Sequence, residues 1–166
     1  MFEQQSLLLV MRHAKSDRTE PLMADFDRPL NDRGQYQPQE VAKQLNALNI
    51  DVDKALISPA QRTKETWHLL ESKLKKAPTA IFDRRLYNAS REDFINTLID
   101  HVGHSRHLLV IAHCPAVIEV TEYYTGQFHE FKTANLAILR GHHDELSKSL
   151  KSLGQFHFDR MIEAMN

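Results

Sequence analysis

Apolar positions along this chain follow two rhythms, one of strands buried on both faces and one of helices buried on a single face. Leu7 to Met11 is an unbroken apolar run ending at Arg12 and His13, the pattern of a strand covered on both sides. The polar stretch from His13 to Asp27 then reads as loop. After Asn31, a helix-capping residue type, apolar side chains recur at Val41, Leu45 and Leu48 near the helical period, with Pro38 in an early turn. Ala55 to Ile57 is a short strand stopped by Ser58 and Pro59, and Pro59 and Ala60 lead into a helix from Gln61 to about Leu74. The alternation returns with Thr79 to Phe82, a helix near Glu92 to His101, the strand Leu108 to Ala112 and a helix from Pro115 to Tyr124. Leu136 to Leu139 and Gln155 to Phe158 are further strands, punctuated by Gly141 and Gly154. Strand and helix in repeated alternation imply an α/β fold with a parallel sheet.

Composition narrows the class. With 166 residues, 42% of them hydrophobic, the chain can bury one ordinary core, and no linker or repeat divides it, so a single domain over 1–166 is expected. Lys and Arg number 21 against 22 Asp and Glu, which leaves no basic footprint for nucleic acid. The run Leu7 to Met11 is too short for a membrane span or a signal-peptide core, so a cytoplasmic protein without a membrane partner is expected. Cys114 is the sole cysteine, which excludes an internal disulfide and a Cys-rich zinc site.

In a parallel sheet, strand-to-helix loops and helix N-termini gather outside the carboxyl ends of the strands, and ligands collect there. Arg12 and His13 follow the first strand, Arg62 opens the helix after the second, and His113 ends the strand before Cys114 and Pro115. Taken singly, each has an ordinary reading as a solvated charge, a salt-bridge partner or a hydrogen-bonded edge residue. Their joint placement points to phosphoryl chemistry. Two guanidinium forks suit the oxygens of a phosphoryl group. A neutral imidazole is a competent nucleophile, and neighbouring arginines should keep His13 unprotonated. One ring nitrogen of His13 would face phosphorus while the other is fixed by an acceptor such as a loop carbonyl. A protonated His113 would add positive charge at the equatorial oxygens.

The segments LLLVMRHAKS, DFDRPLNDRG, LISPAQRTKET, LLVIAHCPAV and FKTANLAIL, from Leu7 to Leu139, resemble the histidine phosphatase superfamily, and within it the small SixA-type phosphohistidine phosphatases. The resemblance implies a phosphoglycerate mutase-like fold, a three-layer α/β/α sandwich with a mainly parallel central sheet. It implies Arg12 and His13 as the signature pair, Arg62 as the second arginine, and His113 as the second histidine. Arg28 is implied as a further pocket residue, or else a loop arginine paired with Asp25 or Asp27. Ser58 is either a small turn residue or a contact to phosphate. Ala14 replaces the Gly of many relatives, which raises the question of a positive φ there. Cys114 stands where many relatives have Asn, as a reactive thiol or a passive buried one.

The leaving-group acid bears on the substrate. Leu86, Tyr87 and Asn88 occupy what resembles the Leu-x-Glu motif that supplies the acid in the mutase-like branch, and Asn88 cannot donate an acidic proton. Loss of a general acid forfeits roughly 10²- to 10⁴-fold for an alkoxide leaving group, whereas an imidazole leaves more readily. Glu92 and Asp17 are the candidate acids, with helix-start and solvated-loop roles as their ordinary readings. Between Arg62 and His113 the chain leaves no room for a large cap. A phosphohistidine-bearing protein is therefore the expected substrate and inorganic phosphate the product, with no cofactor or metal required. The alternatives are a broad phosphomonoesterase or mutase-like enzyme, a non-catalytic phosphate-binding module, and zinc held by His142 and His143 or by His101, His104 and His107. The zinc reading is disfavoured because adjacent histidines point apart and no His-Glu-x-x-His spacing occurs, so these residues are expected in exposed loops.

Overall fold

The computed structural model describes residues 5–164 of the expected 1–166. Six strands, β1 (Leu7–Arg12), β2 (Lys54–Ile57), β3 (Thr79–Phe82), β4 (His107–Ala112), β5 (Leu136–Gly141) and β6 (Phe156–Ile162), form one sheet in the order β3-β2-β4-β1-β5-β6. The first four run parallel, β5 runs antiparallel to β1, and β6 antiparallel to β5. Around the sheet lie α1 (Asp32–Ala47), α2 (Gln61–Glu71), α3 (Arg91–Val102), α4 (Ala116–Thr125) and the short α5 (Leu146–Ser149).

The continuous apolar runs of the central strands serve two cores. Side chains alternate across a strand, so Leu7, Leu9, Met11, Ala55, Ile57, Leu109 and Ile111 pack against Val41 and Leu45 of α1 and Trp67 and Leu70 of α2. Leu8, Val10, Leu56, Leu108, Val110 and Ala112 face the other way, onto Phe94 and Leu98 of α3 and Val117, Val120 and Tyr124 of α4. The chain crosses the sheet in one direction from β1 through β2 to β3, then turns back to place β4 between β2 and β1. A constant crossover hand therefore puts α1 and α2 on one face and α3 on the other. The fold is a three-layer α/β/α sandwich of the phosphoglycerate mutase-like type.

Two boundaries differ from the sequence reading. Helix α2 ends at Glu71, and Leu74 packs on the α1–α2 core from the turn beyond it, which carried the apolar signal past the helix. Strand β6 reaches Ile162 through Asp159 and Arg160, because an edge strand tolerates the polar residues that masked it. The expected loop between His13 and Asp27 holds a 3₁₀ turn at Asp25–Asp27 and is pinned by a bridge between Ser16 and Leu30.

The decisive consequence is register. Arg12 lies opposite Ala112 across the β1–β4 pair, and Ile57 lies opposite Ile111 across β2–β4. Three strands thus deliver their carboxyl ends side by side.

Candidate active site

His13 and His113 each follow the last residue of a central strand, and the register brings their ring centroids to 5.3 Å. The backbone around His13 is fixed from several sides. Its N–H donates to the Ala112 carbonyl at 3.1 Å and its carbonyl accepts from Ala134 N at 2.9 Å. Ala14 N donates to Thr66 Oγ1 at 3.0 Å and Lys15 N to Gln37 Oε1 at 2.9 Å, tying the loop to α2 and α1. Ala134 adopts φ 63°, a left-handed conformation that a non-glycine residue holds only when its surroundings impose it. Ala14 has no positive φ, so the alanine in place of glycine introduces no strain.

His13 Nδ1 lies 2.7 Å from the Ala14 carbonyl oxygen. A carbonyl only accepts, so Nδ1 carries the proton and Nε2 presents a lone pair. Burial pushes the His13 pKa down to about 3 against the opposing Ala14 bond, and the charges of Arg62, Arg12 and Arg28 act in the same direction as burial. The ring is neutral at pH 7. Its Nε2 accepts a long hydrogen bond from Arg62 Nε at 3.4 Å.

From the sequence, His113 would carry positive charge only if its ring were protonated. Burial, followed by the effects of His13 and Arg62, lowers its pKa to about 3, so it too is neutral at pH 7. Ser58 Oγ lies 2.8 Å from His113 Nε2. Ser58 follows the last residue of β2, is fully buried and lies outside the described pocket lining, so the contact its hydroxyl makes in this structure is to His113.

The pocket, about 270 Å³, is lined by Arg12, Lys15, Arg18, Arg28 and Arg62 together with His13, His113, Ser16, Asn88, Cys114, Thr133 and one carboxylate, Asp25. Five cations against one anion make it an anion site. Arg12 is anchored by donation from Nη1 to the Phe131 carbonyl at 2.8 Å. Arg62 is buried on the first turn of α2. It donates through Nη1 to the Asp25 carbonyl at 2.7 Å and through Nη2 to Asp25 Oδ2 at 3.1 Å. Arg28 reaches Asp25 Oδ1 through Nε at 3.1 Å and Ser16 Oγ through Nη1 at 2.9 Å, so it both pairs with Asp25 and lines the pocket. Tyr87 O–H donates to Asp25 Oδ2 at 2.6 Å. That bond, then the two arginines, hold the Asp25 carboxyl well below the usual carboxylate range.

Neither candidate acid lines this pocket. Glu92 is exposed in the first turn of α3, where its charge suits the helix N-terminus. Asp17 lies in a neighbouring depression, and hydrogen bonds from Thr19 lower its pKa. The stretch Leu86, Tyr87 and Asn88 does deliver its third residue to the pocket, as an amide in the left-handed region at φ 53°. Burial pushes the Cys114 thiol up, the behaviour of the passive alternative. The histidines weighed for zinc are dispersed. His142, His143 and His104 are exposed, but His101 binds Asp83 Oδ2 at 2.8 Å, and His107 is buried between the carbonyls of Asp51 and Gln5 because it opens β4. Among the described residues no three metal-ligating side chains converge. Also among them, no helix is long and apolar enough to cross a membrane.

Sequence reasoning gave Asp25 no role beyond pairing with Arg28. Its position three residues before Arg28 was the available signal, but the contacts to Arg62 and Tyr87 cross 37 and 62 positions of chain. Thr133 was missed for the same reason, whereas Lys15 and Arg18 stand in the loop just after His13, where a surface cation and a pocket cation look alike in sequence.

Comparison with known proteins agrees with the geometry. An uncharacterised protein of Mycobacterium tuberculosis is 33% identical over 90% of this chain and the whole of its own length. Among solved structures, a SixA protein from Nakamurella multipartitia, provisionally designated a phosphohistidine phosphatase, superposes with a TM-score of 0.84 at 16% identity, covering 97% of each chain. The protein histidine phosphatase SixA in complex with tungstate gives 0.80 at 20% identity, covering 95% of this chain and 96% of its own. The model of the histidine phosphatase superfamily (branch 1) matches residues 8–94, more than half of the chain, and the protein belongs to that superfamily of phosphatases.

Proposed function

We propose that this phosphatase hydrolyses phosphohistidine carried on a protein, through a covalent intermediate on His13. The observation that carries the reading is the poverty of the pocket in acids. Asp25 is the one carboxylate among its described lining residues and is held ionised, and an amide, Asn88, stands where an acid would be needed. An alkoxide would have to leave without a proton donor, whereas a substrate imidazole protonated on its other nitrogen leaves as a neutral ring.

The steps follow from the side chains. Arg12, Arg28 and Arg62 bind the phosphoryl oxygens with charge-assisted hydrogen bonds. Arg62 Nε gives up its long contact to His13, freeing the Nε2 lone pair. Nε2 attacks phosphorus in line, the bond from phosphorus to the substrate nitrogen breaks, and that nitrogen keeps the electron pair. Throughout, Nδ1 keeps its proton on the Ala14 carbonyl. Water then attacks phosphorus, the bond to Nε2 breaks with its electron pair returning to the nitrogen, and both water protons leave on the phosphate as its monoanion, which releases one to solvent according to pH. His113 contributes as a neutral donor. If Ser58 O–H, whose one bond among the described residues is to His113 Nε2, donates there, the proton of His113 sits on Nδ1, a buried atom without a partner, and it meets a phosphoryl oxygen only once the ring turns toward the pocket. The small, uncapped cleft leaves the rest of the substrate outside, as a protein-borne group requires. The zwitterionic phosphohistidine protein is the partner, inorganic phosphate the product, and the arginines supply the positive charge.

The test is a panel of a phosphohistidine protein against phosphoglycerate and sugar phosphates, with His13→Ala as control. The phosphohistidine protein is expected to have the larger kcat/KM by at least ~100-fold, and a rapid quench with labelled substrate to leave phosphate on His13. Faster release from the esters would overturn the substrate assignment, and turnover without label on His13 would overturn the mechanism.

A further inference from the structure

A carboxylate inside an anion pocket calls for a reason. Asp25 sits at the mouth, its side chain about half exposed, yet it gathers four hydrogen-bond donors: Arg62 Nη2, Arg28 Nε, Arg28 Nη2 and the Tyr87 hydroxyl. Its own backbone carbonyl takes Arg62 Nη1. Fully ionised, it presents to two arginine forks the same planar pair of oxygens that a phosphoryl group would present. Arg62 is thereby engaged at every nitrogen, twice by Asp25 and once by His13.

We propose that Asp25 is an internal competitor for the phosphate site: its carboxylate takes back the Arg62 and Arg28 forks as inorganic phosphate departs, and so limits how tightly the product is held. The proposal rests on the phosphatase reading above. Without such a competitor, Arg12, Lys15, Arg18, Arg28 and Arg62 would face a phosphate dianion with no opposing charge. A tethered carboxylate acts at an effective concentration that free phosphate in dilute solution does not match. It also repels the dianion directly, an interaction the low-dielectric floor of the pocket strengthens. Asp25 belongs to the short turn Asp25–Asp27, and Arg28, one of the forks it holds, follows immediately, so anion and cation share one turn at the mouth.

A purely structural Asp25 predicts the opposite sign from a competitor. If the carboxylate only positioned Arg62 and Arg28, its removal would loosen them and weaken phosphate binding. The experiment measures the inhibition constant of inorganic phosphate, and of tungstate as a second oxyanion, for the full chain and for Asp25→Asn and Asp25→Ala, with circular dichroism to verify folding. Tightening of about tenfold by both oxyanions in Asp25→Asn is expected from removing one opposing charge, with progress curves that slow earlier as phosphate accumulates. Asp25→Ala checks that the gain follows the charge and not the new amide. An unchanged or weaker constant in the folded variants overturns the proposal. A wild-type chain that neither turns over phosphorylated substrate nor binds phosphate would instead overturn the phosphatase reading.

Discussion

Replacing Ser58 with alanine isolates one hydrogen bond behind the site and asks what His113 needs in order to act. Ser58 Oγ and His113 Nε2 are 2.8 Å apart, and both residues are buried. In Ser58→Ala the ring loses its Nε2 partner while Nδ1 already lacks one, so neither tautomer is selected and both nitrogens are stranded away from water. Leaving one buried acceptor unpaired costs about 1–3 kcal/mol. Part of that appears as lower stability. The remainder appears in the barrier, where about 1.4 kcal/mol is a factor of ten in rate. We expect kcat on a phosphohistidine protein to fall about tenfold and KM to change little, because Ser58 touches no pocket volume. Ser58→Thr, which keeps the hydroxyl, is expected to restore most of the rate. A double-mutant cycle gives the refutation. If Ser58 acts through His113, adding Ser58→Ala to His113→Ala changes kcat by less than about twofold. If it costs the same factor in both backgrounds, the positioning argument is wrong.

Stability should fall in mild acid. His13 and His113 each have a native pKa near 3 against about 6.5 unfolded, so between those values the unfolded chain binds protons that the native chain refuses, and stability decreases as pH drops from 6.5 toward 3. Unfolding free energies from denaturant titrations at pH 7 and pH 5 should differ by on the order of 3 kcal/mol, and a flat profile would contradict the neutral pair. Gly34→Ala should damage activity from a helix: an added Cβ would overlap the Lys15 carbonyl and crowd Leu30, so the loop that carries His13 and Lys15 must shift. A loss of roughly 1–3 kcal/mol of stability, seen as a lower Tm, together with a reduced kcat, is expected; wild-type values for both would show that the close approach is not needed.

Much of this was legible in the chain because the site lies at strand ends. The runs LLLVM and LLVIA mark the two central strands by their lack of polar interruptions, and the residue that follows each strand is a histidine. The backbone therefore places His13 and His113 before any side-chain contact is considered. Side-chain convergence from loops was not legible. Nothing local to Asp25 announces that Arg62 and Tyr87 will close on it, and nothing local to Ser58 distinguishes a hydroxyl aimed at phosphate from one aimed backwards at a histidine. Burial was the other hidden quantity. Sequence proximity suggested arginine charge as the cause of a neutral His13, but desolvation is the larger cause, and it is also the largest for His113, which has no adjacent arginine in sequence.

That shared burial explains how one pocket can collect five cations and still keep a nucleophile. The arginine charges and burial both favour neutral imidazoles, and Asp25, with a negative charge of its own, pulls His113 the other way. Desolvation is the larger cause, and it penalises a protonated ring whatever the sign of its neighbours. Burial disfavours a charge on His113 as it does on His13, so the positive donor considered from the sequence is a neutral ring here. With Asp25 holding the Arg62 and Arg28 forks and Nδ1 of His13 donating to the Ala14 carbonyl, Nε2 of His13 stays unprotonated and accepts the long bond from Arg62 Nε.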